Sequence, residues 1–113
     1  MSNLRENDPL KVYLSEVAGV PPLKDGEENE LLQHVRNQDD QAELAMKRLV
    51  EATLRLVPPI AERHSSAKFS ILDLIQEGNN GLMSAVRTLP KESESFSAYA
   101  VTCIEDAITK AIA

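Results

Sequence analysis

Apolar residues recur along this chain at three- and four-residue intervals, the period of an α-helix, and no alternating run persists long enough for a strand. Leu10, Tyr13, Leu14 and Val17 fall at i, i+3, i+4 and i+7 and predict a first helix. Asp8 suits its cap and Pro9 its first turn, while Gly19 and Pro21-Pro22 stop it. Residues 1–7 are polar and are expected to form a flexible N-terminus. A second helix is predicted to start near Asp25, with Glu28 completing a capping box and Leu31, Leu32 and Val35 facing inward. Asn37-Gln38-Asp39-Asp40 breaks it. Asp40 with Glu43 then suits the cap of a third helix, which carries Leu44, Leu49 and Val50 inward and Lys47, Arg48 and Glu51 outward.

Pro58-Pro59 interrupts the apolar run that follows, so a kink or a helix restarting at the prolines is expected. His64–Lys68 reads as a loop. Ser70 caps the next helix, with Asp73 at the third position. Ile71, Leu74, Ile75, Leu82 and Val86 form its inner face, and Asp73, Gln76, Glu77 and Asn80 share its outer face. Gly78 and Gly81 lie inside it and cost about 1 kcal/mol each relative to alanine, which predicts close backbone approach at those positions. Pro90 ends the helix and Lys91–Ser95 is a polar loop. A last helix begins near Ser95 or Ser97 and carries Tyr99, Ala100, Cys103, Ile104, Ala107, Ile108 and Ile112. Its apolar pattern is unfinished at Ala113, which leaves room for a homodimer through this C-terminal helix. The expectation is an all-α fold, a compact bundle of about five to six helices forming a single domain over residues 8–113.

Composition narrows the function. The chain has 113 residues, enough for one core, and only 4% aromatic residues, so that core should be aliphatic. No apolar run approaches the ~20 residues of a membrane span, and the N-terminus carries no signal segment, so a cytoplasmic protein with no membrane partner is expected. Cys103 is the single cysteine, which excludes an intrachain disulfide and makes a small core residue the ordinary reading. His34 and His64 lack metal-ligand spacing, so no metal is expected. Gly78-x-x-Gly81 lies within a helix and is no phosphate loop. No catalytic pairing is visible among the carboxylates, and neither an enzyme nor a cofactor is predicted. Net charge is −6, opposite in sign to the field that attracts phosphate.

Several strings resemble the bacterial sigma-70 family of RNA polymerase sigma factors: region two and the helical segment before it. Asp8-Pro9-Leu10-Lys11-Val12-Tyr13-Leu14 looks like the opening of that part, and Leu49–Val57 like its next block. Leu72-Asp73-Leu74-Ile75-Gln76-Glu77-Gly78-Asn79-Asn80-Gly81-Leu82-Met83 is nearly the family's most specific string. Phe96–Ala100 and Ala107–Ala113 echo the promoter-melting helix. The resemblance implies a helical domain that docks on RNA polymerase core by clamping a coiled coil of the beta-prime subunit. Carried over by position, the polymerase-binding residues would be Leu72, Asp73, Gln76, Glu77, Asn79 and Met83.

The chain departs from that family in its last helix. Thr102 and Cys103 stand where the family carries tandem tryptophans, and Glu105 and Asp106 where it carries an Arg-Gln pair. From Lys91 to Ala113 there are two lysines and four acids. Phe96, Tyr99, Thr109 and Lys110 remain as the DNA-binding remnant, and the first two read equally as residues packed on the core. The expectation is therefore a sigma-factor-like transcription initiation protein that keeps polymerase docking and has weak or lost promoter DNA melting. The alternative is a helical interaction module or decoy that regulates sigma factor usage without binding DNA.

Overall fold

The structure is a computed structural model that describes residues 9–91 and 94–113, with backbone alone at 9 and 10. Among these residues the chain forms six α-helices and no strand: α1 (Pro9–Ala18), α2 (Glu27–Asn37), α3 (Ala42–Thr53), α4 (Val57–His64), α5 (Ile71–Thr88) and α6 (Phe96–Ile112). A 3₁₀ turn, Leu54–Leu56, joins α3 to α4. No helix is long and apolar enough to cross a membrane among the described residues. The cap expected at Asp8 and part of the loop expected at Lys91–Ser95 lie outside the described residues.

The Leu54–Leu56 turn shows how the prolines are accommodated. Pro58 and Pro59 occupy the first turn of α4, where their missing N–H groups have no intrahelical partner to lose. The chain therefore restarts a helix at the prolines instead of bending one. At the start of α5, the Asp73 N–H donates to Ser70 Oγ at 3.2 Å, and at the start of α6 the Ala98 N–H donates to Ser95 Oγ at 3.3 Å. The Ser70 cap falls where the sequence predicts it, and of the two expected starts for the last helix the structure takes Ser95.

The two longest helices, α5 and α6, make the largest contact in the fold. Their glycines explain its closeness. A Cβ placed on Gly81 would lie 2.5 Å from the Cys103 carbonyl oxygen and 2.9 Å from the Ala107 Cβ. One on Gly78 would lie 2.7 Å from Val57 Cγ1 and 3.2 Å from Ile104 Cγ2. Around this notch Leu74, Leu82, Ile104 and Ile108 are essentially inaccessible, and α4 adds Val57, Ile60 and Ala61. The core is aliphatic, as composition predicts, except that Phe96 is also fully buried within it. Within the protomer, Ile104 and Ile108 of the α6 stripe have no exposed surface, while Ile112 is half-buried.

Several local expectations need correction. Helix α2 starts after Gly26, whose φ of 83° lies in the left-handed region, so Asp25 does not cap it. The Lys24 N–H donates to Glu27 Oε1 at 2.9 Å, leaving Glu28 free for other work. Asp40 does not cap α3; Asp39 accepts the Gln41 N–H at 2.9 Å and His34 Nδ1 lies 2.8 Å from its other oxygen. Leu44 is 65% exposed because Ala45, Leu49, Ala52 and Thr53 face the bundle, and Leu44 sits a quarter-turn away from that stripe. Leu14 is 41% exposed, since α1 packs mainly on the 3₁₀ turn, which covers Val17 but not the whole stripe. Arg48 turns back rather than outward. Its guanidinium donates to Glu27 at 3.1 Å and to the Pro21 and Pro22 carbonyls at 3.1 and 3.3 Å. It thereby fixes the proline loop to α3.

Two predictions follow from these contacts. Gly81→Ala gains about 1 kcal/mol of helix propensity but drives a methyl into the α6 backbone, so a net loss of about 1–3 kcal/mol is expected by urea unfolding. Gly19→Ala, whose new Cβ would sit 3.5 Å from the nearest carbonyl, should be near neutral in the same assay. Acid should also weaken the fold. The Lys24 N–H and the Arg48 guanidinium hold the Glu27 carboxyl below its usual range, and His34 does the same for Asp39. A carboxyl lowered in the folded state favours folding above the ordinary carboxylate range, and that contribution fades as pH falls through the lowered values. The thermal midpoint should drop below about pH 4, and by less in Glu27→Gln.

Candidate functional site

The notch that buries one face of α5 turns the opposite face to solvent. Gly78, Gly81, Leu74, Leu82 and Ala85 lie against the bundle. The 3.6-residue period then places Asp73, Gln76, Glu77 and Asn80 outside, and all four are exposed. Met83 is 38% exposed, and Leu72 and Asn79 are half-buried. The six residues picked out by resemblance therefore line one continuous outer surface over three turns of α5. Neither Asp73 nor Glu77 forms an ion pair among the described residues, whose salt bridges are His34–Asp39, Arg48–Glu27 and Arg63–Glu105. This surface offers unpaired carboxylates, amides that donate and accept, and one flexible thioether.

One contact on it is invisible in the sequence. The Tyr13 hydroxyl donates to Asn79 Oδ1 at 3.2 Å across 66 positions. Burial pushes the Tyr13 phenol above its ordinary value, and the bond to Asn79 opposes that shift. Tyr13 thus stays a neutral donor, fixing the amide of Asn79 so that its NH₂ group points away from the shared oxygen. Helix α1 borders the α5 surface through this bond.

The residues of the DNA-binding remnant on α6 are less uniform. Phe96 is fully buried and packs in the core, so its ring has no free face for stacking in this arrangement. Its position has a specific cause: the Phe96 N–H donates to Glu28 Oε1 at 2.7 Å and the Ser97 hydroxyl to Glu28 Oε2 at 3.1 Å. The carboxylate satisfies orphan donors of the first turn of α6 and lies at the positive end of the helix dipole. Tyr99 is half-buried, with its hydroxyl 2.6 Å from Thr88 Oγ1. Thr109 and Lys110 are exposed, but the Thr109 hydroxyl donates to its own helix at Glu105 O, 2.9 Å away. Thr102 and Asp106 share this exposed face, and Glu105 pairs with Arg63 at 3.2 Å. Lys110 is the lone cation on α6, and Arg63 beside it is partly neutralised.

Other chemistry is thin. Among the described residues no three His, Cys, Asp or Glu side chains converge as a metal would require. Burial pushes the Cys103 thiol up, with the nearby carboxylates of Asp106 and Glu94 adding to the effect, so it remains protonated at neutral pH.

Comparison with known proteins places this helix pair. A family model described as Sigma-70 region 2 matches residues 49–113, more than half of the chain and all of α4, α5 and α6. This chain belongs to the sigma-70 family. It is 43% identical to the RNA polymerase sigma factor SigA of Lactococcus lactis subsp. cremoris, over an alignment covering 100% of this chain and 31% of that protein. It is 46% identical to the sigma factor SigA of Clostridium acetobutylicum over 95% of this chain and 28% of that protein. A sigma factor SigA from a Bacillus species is 44% identical over 97% of this chain and 29% of its own length. The chain thus spans about three-tenths of the length of the relatives it matches. Within the sigma-70 region, α5 carries the exposed carboxylate and amide surface, and α6 carries the acidic departures at Glu105 and Asp106.

Glu28 reaches this region from α2 and deserves a direct test. Glu28→Ala leaves part-buried donors at the α6 N-terminus without a partner, which costs about 1–3 kcal/mol. Faster amide hydrogen exchange in the first turn of α6, together with a lower urea midpoint, is the expected outcome.

Proposed function

We propose that this chain is a non-catalytic transcription initiation protein that docks on RNA polymerase core. The α5 outer surface does the docking, with Leu72, Asp73, Gln76, Glu77, Asn79 and Met83 set against a coiled coil of the beta-prime subunit. The observation that carries the reading is the orientation of α5: its glycine face is locked into the core, so these side chains are left on the outer surface. Support comes from chemistry as well. Unpaired carboxylates at Asp73 and Glu77 attract a basic helix, the amides of Gln76 and Asn79 set its register, and Met83 adapts to its apolar contacts. Sigma-factor relatives at 43–46% identity add weight.

Promoter melting is weak or lost on this reading. Base capture needs exposed aromatic faces worth about 1–3 kcal/mol per base, and a basic track for the phosphates. Phe96 is enclosed, and the α6 surface presents Thr102, Asp106 and Thr109 beside Lys110. A second reading is favoured by the same acidic face: an interaction module or decoy that alters sigma factor usage without touching DNA. The two readings share the docking step and differ at DNA.

Two measurements test the docking step and the loss of DNA capture. The purified chain should bind RNA polymerase core in a pull-down, and a Gln76→Ala/Glu77→Lys double change should abolish that binding while leaving the helical spectrum intact. Full binding by this variant would remove the docking proposal. With core polymerase bound, capture of a labelled promoter single strand at near-physiological salt should be undetectable; sequence-selective capture would count against lost melting and against the decoy.

A further inference from the structure

We infer that the partner held on α5 also engages α3, by inserting an apolar side chain into an open slot between the two helices. This rests on the docking reading above and extends its footprint. The slot holds about 280 Å³ and is formed by Met46 and Val50 of α3 and Met83 and Val86 of α5, with Lys47 and Glu51 at its rim. Each helix contributes residues one turn apart, so their side chains stack into two facing walls. Val86 is buried at its base, and Met83 stands partly exposed at its mouth.

The lining specifies the occupant. The facing walls are methyl, methylene and thioether groups, so a polar group placed between them would lose water without gaining a hydrogen bond. An aliphatic or aromatic side chain fits, and two unbranched methionines let the walls adjust to its shape. The rim carries one cation, Lys47, and one anion, Glu51, so the charge preference comes from the α5 face beside the slot. Glu51, together with Asp73 and Glu77, makes three carboxylates with no ion pair among the described residues. A helix that presents basic residues on both sides of one large apolar residue matches this pattern.

Continuity with the docking surface comes through Met83, which belongs to both. A partner helix packed on α5 at the usual ~8–10 Å covers Met83, and with it the mouth of the slot. The slot therefore adds an apolar anchor to an otherwise polar contact, the arrangement in which a few buried contacts dominate affinity.

The test measures binding of the whole chain to bacterial RNA polymerase core by fluorescence anisotropy. Parent, Glu77→Lys and Met46→Asp are compared, each checked by circular dichroism. Met46→Asp should bind at least tenfold more weakly than parent while remaining helical. A photo-crosslinker is also attached at Lys47→Cys in a Cys103→Ser background, with Asn80→Cys as the position on the α5 face. Crosslinking from position 47 to the largest subunit is expected. If Met46→Asp is folded and binds like parent while Glu77→Lys fails to bind, the slot is not used and the docking reading stands. If parent does not bind, or neither substitution matters, both fail. Should Met46→Asp not fold, the crosslinks decide. A product from position 80 without one from position 47 refutes the slot, and products from both support it.

Discussion

The close approach of α5 to α6 governs the rest of this structure. Gly81 lets the Cys103 carbonyl come within a distance that any side chain would forbid, and Gly78 admits Val57 and Ile104 beside it. Each glycine costs about 1 kcal/mol in a helix interior, so the packing it permits has to offset that loss. The gain is a dense seam in which Leu82, Ile104 and Ile108 have no exposed surface. A helix notched in this way has one admissible rotation about its axis. Turning α5 by a single residue would set a Cβ against the α6 backbone and carry Leu74 and Leu82 toward water. The outward direction of Asp73, Gln76, Glu77 and Met83 follows from this packing, and among the described residues none of the four side chains forms a hydrogen bond or ion pair.

The charged residues have a different role. The one ion pair joining α4 to α6, Arg63–Glu105, is largely exposed, and such pairs contribute about 0–1 kcal/mol. More comes from charged side chains that satisfy backbone groups. Glu28 receives the first N–H of α6, Arg48 donates to the carbonyls of the proline loop, and Arg36 donates to the Pro90 carbonyl at 3.0 Å. These bonds join segments far apart in the chain and satisfy groups that turns and helix ends would otherwise leave open. They also set Phe96 into the core, because the turn held by Glu28 and Ser95 fixes where the first residue of α6 points.

Local signals explain which parts of this fold could be read in advance. Ser70, the proline pair and the two glycines act within a few residues of themselves, so the α5 cap, a break at the prolines and close backbone approach at Gly78 and Gly81 are legible in the sequence, while the helix that makes that approach is not. Structure and sequence pattern diverge where a distant residue decides. Periodicity assigns Leu44 and Leu14 to inner faces, yet which part of an apolar stripe is covered depends on the angle of the neighbouring helix. Glu28 looks like a local capping residue until α6, 68 positions later, supplies a stronger partner. Helical spacing places Asp73, Gln76, Glu77 and Asn80 on the outer face of α5, and all four are exposed there. The bond from Tyr13 and the slot shared with α3 were not found, because each joins elements that no periodic pattern connects.

One charge distribution would act in opposite ways on the proposed protein partner and on a nucleic acid. A chain of net charge −6 repels phosphate, and on α6 the residues nearest a promoter strand would include Asp106 and Glu105. On the proposed docking reading, the same excess of carboxylates would attract a basic protein helix to α5. Screening limits both effects to about 8–10 Å at physiological salt, so the local arrangement matters more than the total. Locally, α5 presents Asp73 and Glu77 unpaired, whereas α6 presents one lysine among acids. Surfaces of this kind favour a protein partner over a nucleic acid before any specific contact forms. A gain of DNA affinity would therefore require reversing charge on α6, a change that leaves the α5 surface untouched because the two helices expose opposite sides of their shared seam.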